Sequence, residues 1–274
     1  MGLKINTNVA GLRTARILRR STGSLNKSLE RLSSGLRVNR ASDDAAGLAI
    51  AEGFRSVSKA AVVSQRNAQD GISLVQTAEG ALSETINMLQ RIRELAVQSA
   101  NGTNSTQNRT DLNLEVIQLK EQIDDIAANT EFNGVFLLDG SVPSLTLQVG
   151  ATNATTLSIA FSSAMTTAAL GIAVTQVNNF ANATAALAAV TNALKLVNTQ
   201  RSTLGAAQNR LEFTISTLSI QEENAVASES AIRDADIARE TIQFTRNQIL
   251  VSAGTSILGQ ANVVPQTALQ LLGG

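Results

Sequence analysis

The chain has 274 residues, 22 basic and 22 acidic side chains, and no His, Cys, Trp or Tyr. His supplies most acid–base catalysis near neutrality, and His with Cys supplies nearly all zinc and iron–sulfur ligation, so those chemistries are excluded together with any disulfide scaffold. Apolar residues make up 43% but aromatics only 3%, all Phe, and there are two Pro, so the core is aliphatic and long helices are the first expectation.

Zero net charge conceals segregation. Residues 1–40 hold nine basic groups against Glu30 alone, a balance of +8, whereas residues 41–140 stand at −7 and residues 141–274 at −1. Gly140 through Leu194 and Asn247 to the C-terminus carry no charge, which is unusual for soluble surface that must repel neighbours.

Leu18, Leu25, Leu29, Leu32 and Leu36 form a heptad stripe that predicts an N-terminal helix. Arg13, Arg16, Arg19 and Arg20 fall near one face of it. Nucleic-acid binding is disfavoured, because no aromatic residues interleave for stacking and no groove-reading motif follows; a solvated or pore-lining strip is favoured. In ASDDAAGLAI, Asp43 and Asp44 could be offered as an acid–base pair or metal ligands, but neighbouring carboxylates on a helix diverge by about 100°. Ser42 or Asp43 as a helix N-cap is the stronger reading.

Val75, Leu82, Leu89 and Ala96 repeat at seven residues, and Leu112, Val116, Leu119, Ile123 and Ile126 alternate four and three, predicting two helices joined by the polar turn SANGTNSTQNRT. Thr110 or Asp111 suits the cap of the second, and Asp124 and Asp125 read as its solvated face. Between residues 132 and 182 the period changes to two: Leu145, Leu147 and Val149, then GATNATT, then Leu157, Ile159 and Phe161, which predicts an antiparallel hairpin.

Val190, Val197, Leu204, Leu211, Leu218, Ala225 and Ile232 form a strict heptad series over 43 residues, roughly 64 Å as one helix. Ile237, Phe244, Val251 and Leu258 continue with a C-terminal stripe, while Ile242, Ile249, Leu250 and Ile257 lie on other faces. A helix apolar on several sides is not covered by one partner, so burial in a multi-chain assembly is expected. Phosphate-loop glycine patterns are absent, and the uncharged C-terminal stretch is interrupted by Asn, Gln, Gly and Pro, unlike a membrane span. The start shows no continuous apolar core of a secretory signal.

The fold class read from these patterns is mainly α: a long antiparallel coiled-coil or helical-bundle rod with a small β-hairpin insertion and paired terminal helices. Its expected division is a discontinuous terminal-helix domain, residues 1–42 plus 236–274, and a rod domain, 43–235, with the hairpin region at about 132–182. No enzyme activity, cofactor or metal is expected.

LSSGLRVNRASDDAAGLAIAEGFR (32–55), QRNAQDGISLVQTAEGALSE (65–84), LQRIRELAVQSANGTNS (89–105) and EFNGVFLLDG (131–140) resemble the N-terminal region of bacterial flagellin. AVASESAIRDADIARE (225–240) and QILVSAGTSILGQANVVPQTALQLL (248–272) resemble its C-terminal region. The resemblance implies a structural subunit, in minimal form with a very short central variable region, that leaves the cell by type III export without a cleavable signal and polymerises into the extracellular flagellar filament. Implied partners are other copies of the chain, the flagellar cap and junction proteins, an export chaperone and a Toll-like host receptor, with no nucleic acid and no membrane insertion. The polymerisation helices would carry Leu25, Leu29, Leu32, Leu36, Ile237, Phe244, Val251 and Leu258, and the receptor or neighbouring subunit would meet Gln90, Arg91, Leu95, Gln98 and Glu115. A hook–filament junction protein, which shares the terminal helices, is the alternative.

Overall fold

The computed structural model describes residues 7–150, 155–161 and 164–272. In chain order the elements are α1 (Val9–Ser34), α2 (Ala45–Ser99), α3 (Thr106–Asn129), β1 (Glu131–Phe132), β2 (Val135–Phe136), β3 (Ser144–Gln148), β4 (Thr156–Ala160), α4 (Phe180–Arg233) and α5 (Ile237–Leu272). The fold is mainly α with a small hairpin insertion, as the change of period indicated. The 43-residue heptad series lies within one helix, α4, and its members from Val190 to Ala225 are buried.

Each helix starts where a side-chain oxygen satisfies an amide of the first turn. Asn8 accepts from the Gly11 N–H at 2.8 Å, Asp44 from Gly47 at 2.8 Å, Ser105 from Asn108 at 3.2 Å, Asn179 from Asn182 at 2.7 Å and Asp236 from Arg239 at 3.1 Å. Two expected caps are thereby corrected. Asp44, not Ser42 or Asp43, opens α2. Ser105 opens α3 a turn sooner than Thr110 or Asp111, which lie inside the helix, where Asp111 accepts from Gln107 at 3.1 Å.

The chain divides into two compact units, Met1–Ser56 with Asn224–Gly274, and Val57–Glu223. In the second, Val75, Ala78, Leu82, Leu89, Ile92 and Ala96 of α2, Val116, Ile123 and Ala127 of α3, and Val190, Val197, Leu204 and Leu211 of α4 share one buried core. Burying such aliphatic side chains is the main favourable contribution, about 1.5–3 kcal/mol each. By length and composition α4 holds a stretch apolar enough to cross a membrane, of which 28% is buried; Ala183, Ala186, Val190 and Ala193 belong to the shared core. Polar contacts at its margin align α2 antiparallel to α4: Gln65 with Glu222 at 3.0 Å and Glu79 with Arg201 at 3.0 Å.

β3 and β4 pair antiparallel with Leu145 opposite Ile159 and Leu147 opposite Leu157, which is the alternation read from the sequence. The expected turn, GATNATT, falls partly on residues 151–154, outside the described residues. The hairpin is tied to both flanking helices: Asn67 donates to the Gln148 carbonyl at 2.8 Å, and Gln200 to the Ala160 carbonyl at 2.9 Å. Gly71 of α2 leaves the space that Leu147 fills; a Cβ there would lie 2.2 Å from Leu147 Cδ1.

A second hairpin, β1–β2, lies outside the expected hairpin and precedes it. Its turn is Asn133–Gly134, with φ of 51° and 78°, the left-handed pair that a two-residue hairpin turn requires.

The irregular segment 164–179 has no ladder of its own and borrows partners from α3. Asp124 accepts from both the Thr167 N–H and hydroxyl at 2.7 Å. Lys120 donates to the Ala173 and Thr175 carbonyls at 2.8 and 3.1 Å, with burial lowering its pKa, and Asn113 accepts from the Val177 N–H at 2.9 Å. Asp124 is therefore a clamp and not a solvated carboxylate, while Asp125 is exposed as expected.

In the first unit α1 and α5 run antiparallel. Asn8 donates to the Ala261 carbonyl at 2.8 Å, Leu18 lies over Gly254, and Arg31 pairs with Glu240 at 3.5 Å. α1 ends at Gly35, whose φ of 72° gives the left-handed cap that a side chain would strain. Just beyond, Leu36 bridges Asp234, the Arg37 amide donates to the Arg233 carbonyl at 2.6 Å, and the Ala235 amide donates to the Gly35 carbonyl at 2.9 Å. The end of α4 and the end of α1 are thus joined through main-chain groups.

Candidate functional site

Among the described residues no group of three or more acidic side chains is placed to hold a metal. Asp43 and Asp44 do different structural work. Asp44 caps α2, whereas Asp43 pairs with Lys27 at 2.6 Å and accepts from the Asn39 and Arg40 amides at 3.4 and 3.3 Å. The Lys27 bond, with those amides, holds the Asp43 carboxyl down at about 2 from an ordinary 3.8.

A group whose folded pKa is depressed stabilises above its unfolded value and loses that contribution as pH falls through the folded one. Asp43→Asn is expected to lower stability near pH 7 by on the order of 1 kcal/mol, because solvent screens the half-exposed Lys27. The gap between variant and parent should close between about pH 4 and pH 2. Urea midpoints at pH 7, 4 and 2 check it; a gap that persists at pH 2 would show that charge is not the cause.

Two surfaces remain as functional candidates. On α2, Gln90, Arg91 and Gln98 are exposed. Arg91 bridges to Glu115 of α3 at 2.7 Å and to Glu94 at 3.2 Å, and these carboxylates favour its charged form. Gln90 and Gln98 line a shallow groove with Arg93, Glu94 and Val97, three residues the motif did not single out. Leu95 is a correction to the expected set: it is fully buried, so it shapes this surface from beneath and offers no contact area. Its place in the α2 heptad, three residues after Ile92 and between two buried neighbours in the stripe, was the available signal.

The second surface is on α1 and α5. Leu25, Leu32 and Leu36 are half-buried, as are Phe244, Val251 and Leu258, the members of the two stripes that meet across the pair. Leu29 and Ile237 are exposed. So are Ile242 (67%), Ile249 (63%), Leu250 (46%) and Ile257 (56%), the residues set off the C-terminal stripe in the sequence. Ile242, Ile249 and Leu250 line a surface groove with Thr241, Thr245 and Arg246. Val9, Leu12 and Ile17 of α1 are likewise exposed, at 58%, 66% and 59%. Isolated exposed aliphatics are ordinary, but a succession along both helices makes this pair a candidate interaction surface.

Models of the bacterial flagellin N-terminal and C-terminal helical regions match residues 5–142 and 187–272. The chain is 47% identical over 272 residues to a flagellin of Halalkalibacterium halodurans, spanning 98% of this chain and 99% of the relative. It is 43% identical over 305 residues to a flagellin of Bacillus subtilis, spanning 98% and 100%. A flagellar filament 33 kDa core protein of Treponema phagedenis is 42% identical over 284 residues, spanning 98% and 99%. The crystal structure of Bacillus cereus flagellin is similar with a TM-score of 0.51 at 32% identity, covering 56% of this chain and 88% of that one. Among the described residues, the stretch between the two matched regions holds β3, β4, the clamped connection and the first residues of α4.

Proposed function

The chain belongs to the bacterial flagellin family, a family of structural proteins and not enzymes, and on that basis we propose that it is a filament subunit whose α1 and α5 are the polymerising surface. The observation that carries this is the row Ile242, Ile249, Leu250 and Ile257, outward on α5 while Phe244, Val251 and Leu258 already occupy the side toward α1. One helix partner cannot cover both faces, so further copies supply the cover. Head-to-tail docking that does not close builds a filament and not a ring. In this reading the chain is exported by the type III route, with an export chaperone shielding it and cap and junction proteins bounding the filament, and it functions outside the cell. Seeded polymerisation of chains lacking residues 1–40 or 240–274 tests it; filaments from either would overturn the assignment.

A second proposed role rests on the α2 surface. Arg91, half-exposed and oriented by Glu115 and Glu94, stands beside Gln90 and Gln98, and a Toll-like receptor would take this face. Arg91→Asp places a third carboxylate beside Glu94 and Glu115 and removes the guanidinium. Receptor affinity should fall by at least about tenfold, the loss of one charge-assisted pair. Binding unchanged in a surface-plasmon titration would take Arg91 out of the interface.

A further inference from the structure

We propose that Asn101 is a site of spontaneous covalent modification: its side-chain amide cyclises onto the Gly102 nitrogen and hydrolyses to aspartate or isoaspartate, so that the turn between α2 and α3 changes as the chain ages. Asn–Gly occurs twice in the sequence, at Asn101–Gly102 and Asn133–Gly134, and both asparagines are exposed. A following glycine, lacking Cβ, allows the closest approach to the main-chain nitrogen. The fold separates the two sites.

At Asn101 the surroundings favour ring closure. The Gly102 N–H, which must lose its proton, donates to no acceptor among the described residues. Arg109 of α3 donates from Nη2 to the Asn101 carbonyl at 3.2 Å and from Nε to the Ser99 carbonyl at 3.0 Å. The Asn101 carbonyl and the Gly102 nitrogen belong to one peptide group, so the guanidinium stabilises the negative charge that deprotonation spreads onto that oxygen. The Thr103 N–H donates to Asn101 Oδ1 at 3.2 Å and polarises the carbonyl that is attacked. Asn133 is held differently: its φ of 51° and the 78° of Gly134 are fixed between the pairs Phe132–Val135 and Glu131–Phe136, and ring closure would have to rotate a peptide that the hairpin holds.

The reaction balances with water alone. Solvent base removes the Gly102 amide proton, the nitrogen electron pair forms a bond to Asn101 Cγ, and the Cγ–Nδ2 bond breaks with Nδ2 leaving, protonated, as ammonia. Water then opens the cyclic imide, at Cγ to give aspartate or at the main-chain carbonyl to give isoaspartate. Either product sets a carboxylate in the turn that Arg109 holds, and isoaspartate also lengthens the main chain by a methylene between the two helices. None of this rests on the filament reading.

The test is to age the folded, full-length chain at mildly alkaline pH, placing each conversion by peptide mass spectrometry and labelling isoaspartate with an isoaspartyl methyltransferase. Asn101 is expected to convert about tenfold or more faster than Asn133, and the two rates to converge in concentrated urea, where only the shared dipeptide remains. Arg109→Gln should slow Asn101 by about tenfold, the loss of one charge-assisted hydrogen bond, and leave Asn133 unchanged. Gly102→Ala, for which nothing lies within 4 Å of the added Cβ, should slow Asn101 with the fold intact by circular dichroism. Equal rates in the folded chain, a preference that survives in urea, or a parental or higher rate in either variant would overturn the proposal.

Discussion

Chains carrying Ile249→Asp and Leu250→Asp, like chains lacking residues 240–274, are expected to stay monomeric in a seeded assay in which the intact chain grows filaments. Both side chains are exposed, at 63% and 46%, and both line the groove bounded by Ile242, Thr245 and Arg246. Covering an aliphatic side chain contributes about 1.5–3 kcal/mol, so two per copy account for roughly two to four orders of magnitude in the concentration needed for growth. A carboxylate in the same place must also be desolvated, which raises the cost further. Because neither residue faces α1, far-UV circular dichroism of the double variant should match the parent. Filaments at the parental critical concentration would move the polymerising surface elsewhere.

Leu211→Ala is expected to destabilise the larger unit by about 2–5 kcal/mol, read as a lower urea midpoint. Leu211 is fully buried, and its Cδ1 approaches the open side of Gly71, where Leu147 of β3 also inserts. Truncation therefore opens a cavity at a meeting point of α2, α4 and the hairpin, not on a face that can collapse. The neighbouring glycines give an internal contrast. At Gly71 an added methyl would sit 2.2 Å from Leu147 Cδ1 and push it off its rotamer, so Gly71→Ala should lose stability. At Gly80, on the same helix, nothing lies within 4 Å, and Ala should add up to about 1 kcal/mol through helix propensity alone.

How far these features can be read from residues depends on whether their cause is local and periodic. The heptads from Val190 to Ala225 specify α4 because one unbroken stripe over many turns admits few other structures. Leu145 opposite Ile159 was readable for the same reason, since a period of two fixes both face and register. Caps are less legible. Ser42, Asp43 and Asp44 all have capping chemistry, and the choice of Asp44 leaves Asp43 free for Lys27, a residue on another helix. The 164–179 connection has no period, and its order comes from Asp124, Lys120 and Asn113 across space. At the candidate receptor face, the motif named four residues with exposed or half-exposed side chains, but Leu95 belongs to the interior by helical phase. The β1–β2 turn is marked by Asn133–Gly134, but with only two paired residues a side it has no alternation from which a strand can be read.

The joint between Gly35–Arg37 and Arg233–Ala235 is made by carbonyls and amides, which every residue but proline supplies. A register lock of this kind is indifferent to side-chain identity at Leu36 and Asp234, so long as Gly35 keeps its positive φ. Slippage of one strand of the joint by a residue would forfeit both main-chain hydrogen bonds at once, whereas among its side chains only Arg37, whose guanidinium donates to the Ile232 carbonyl, adds a bond to it. The joint therefore helps to set the phase of α1 against α5 without drawing on their outward residues, leaving those positions free to change their chemistry without disturbing which faces the helices present.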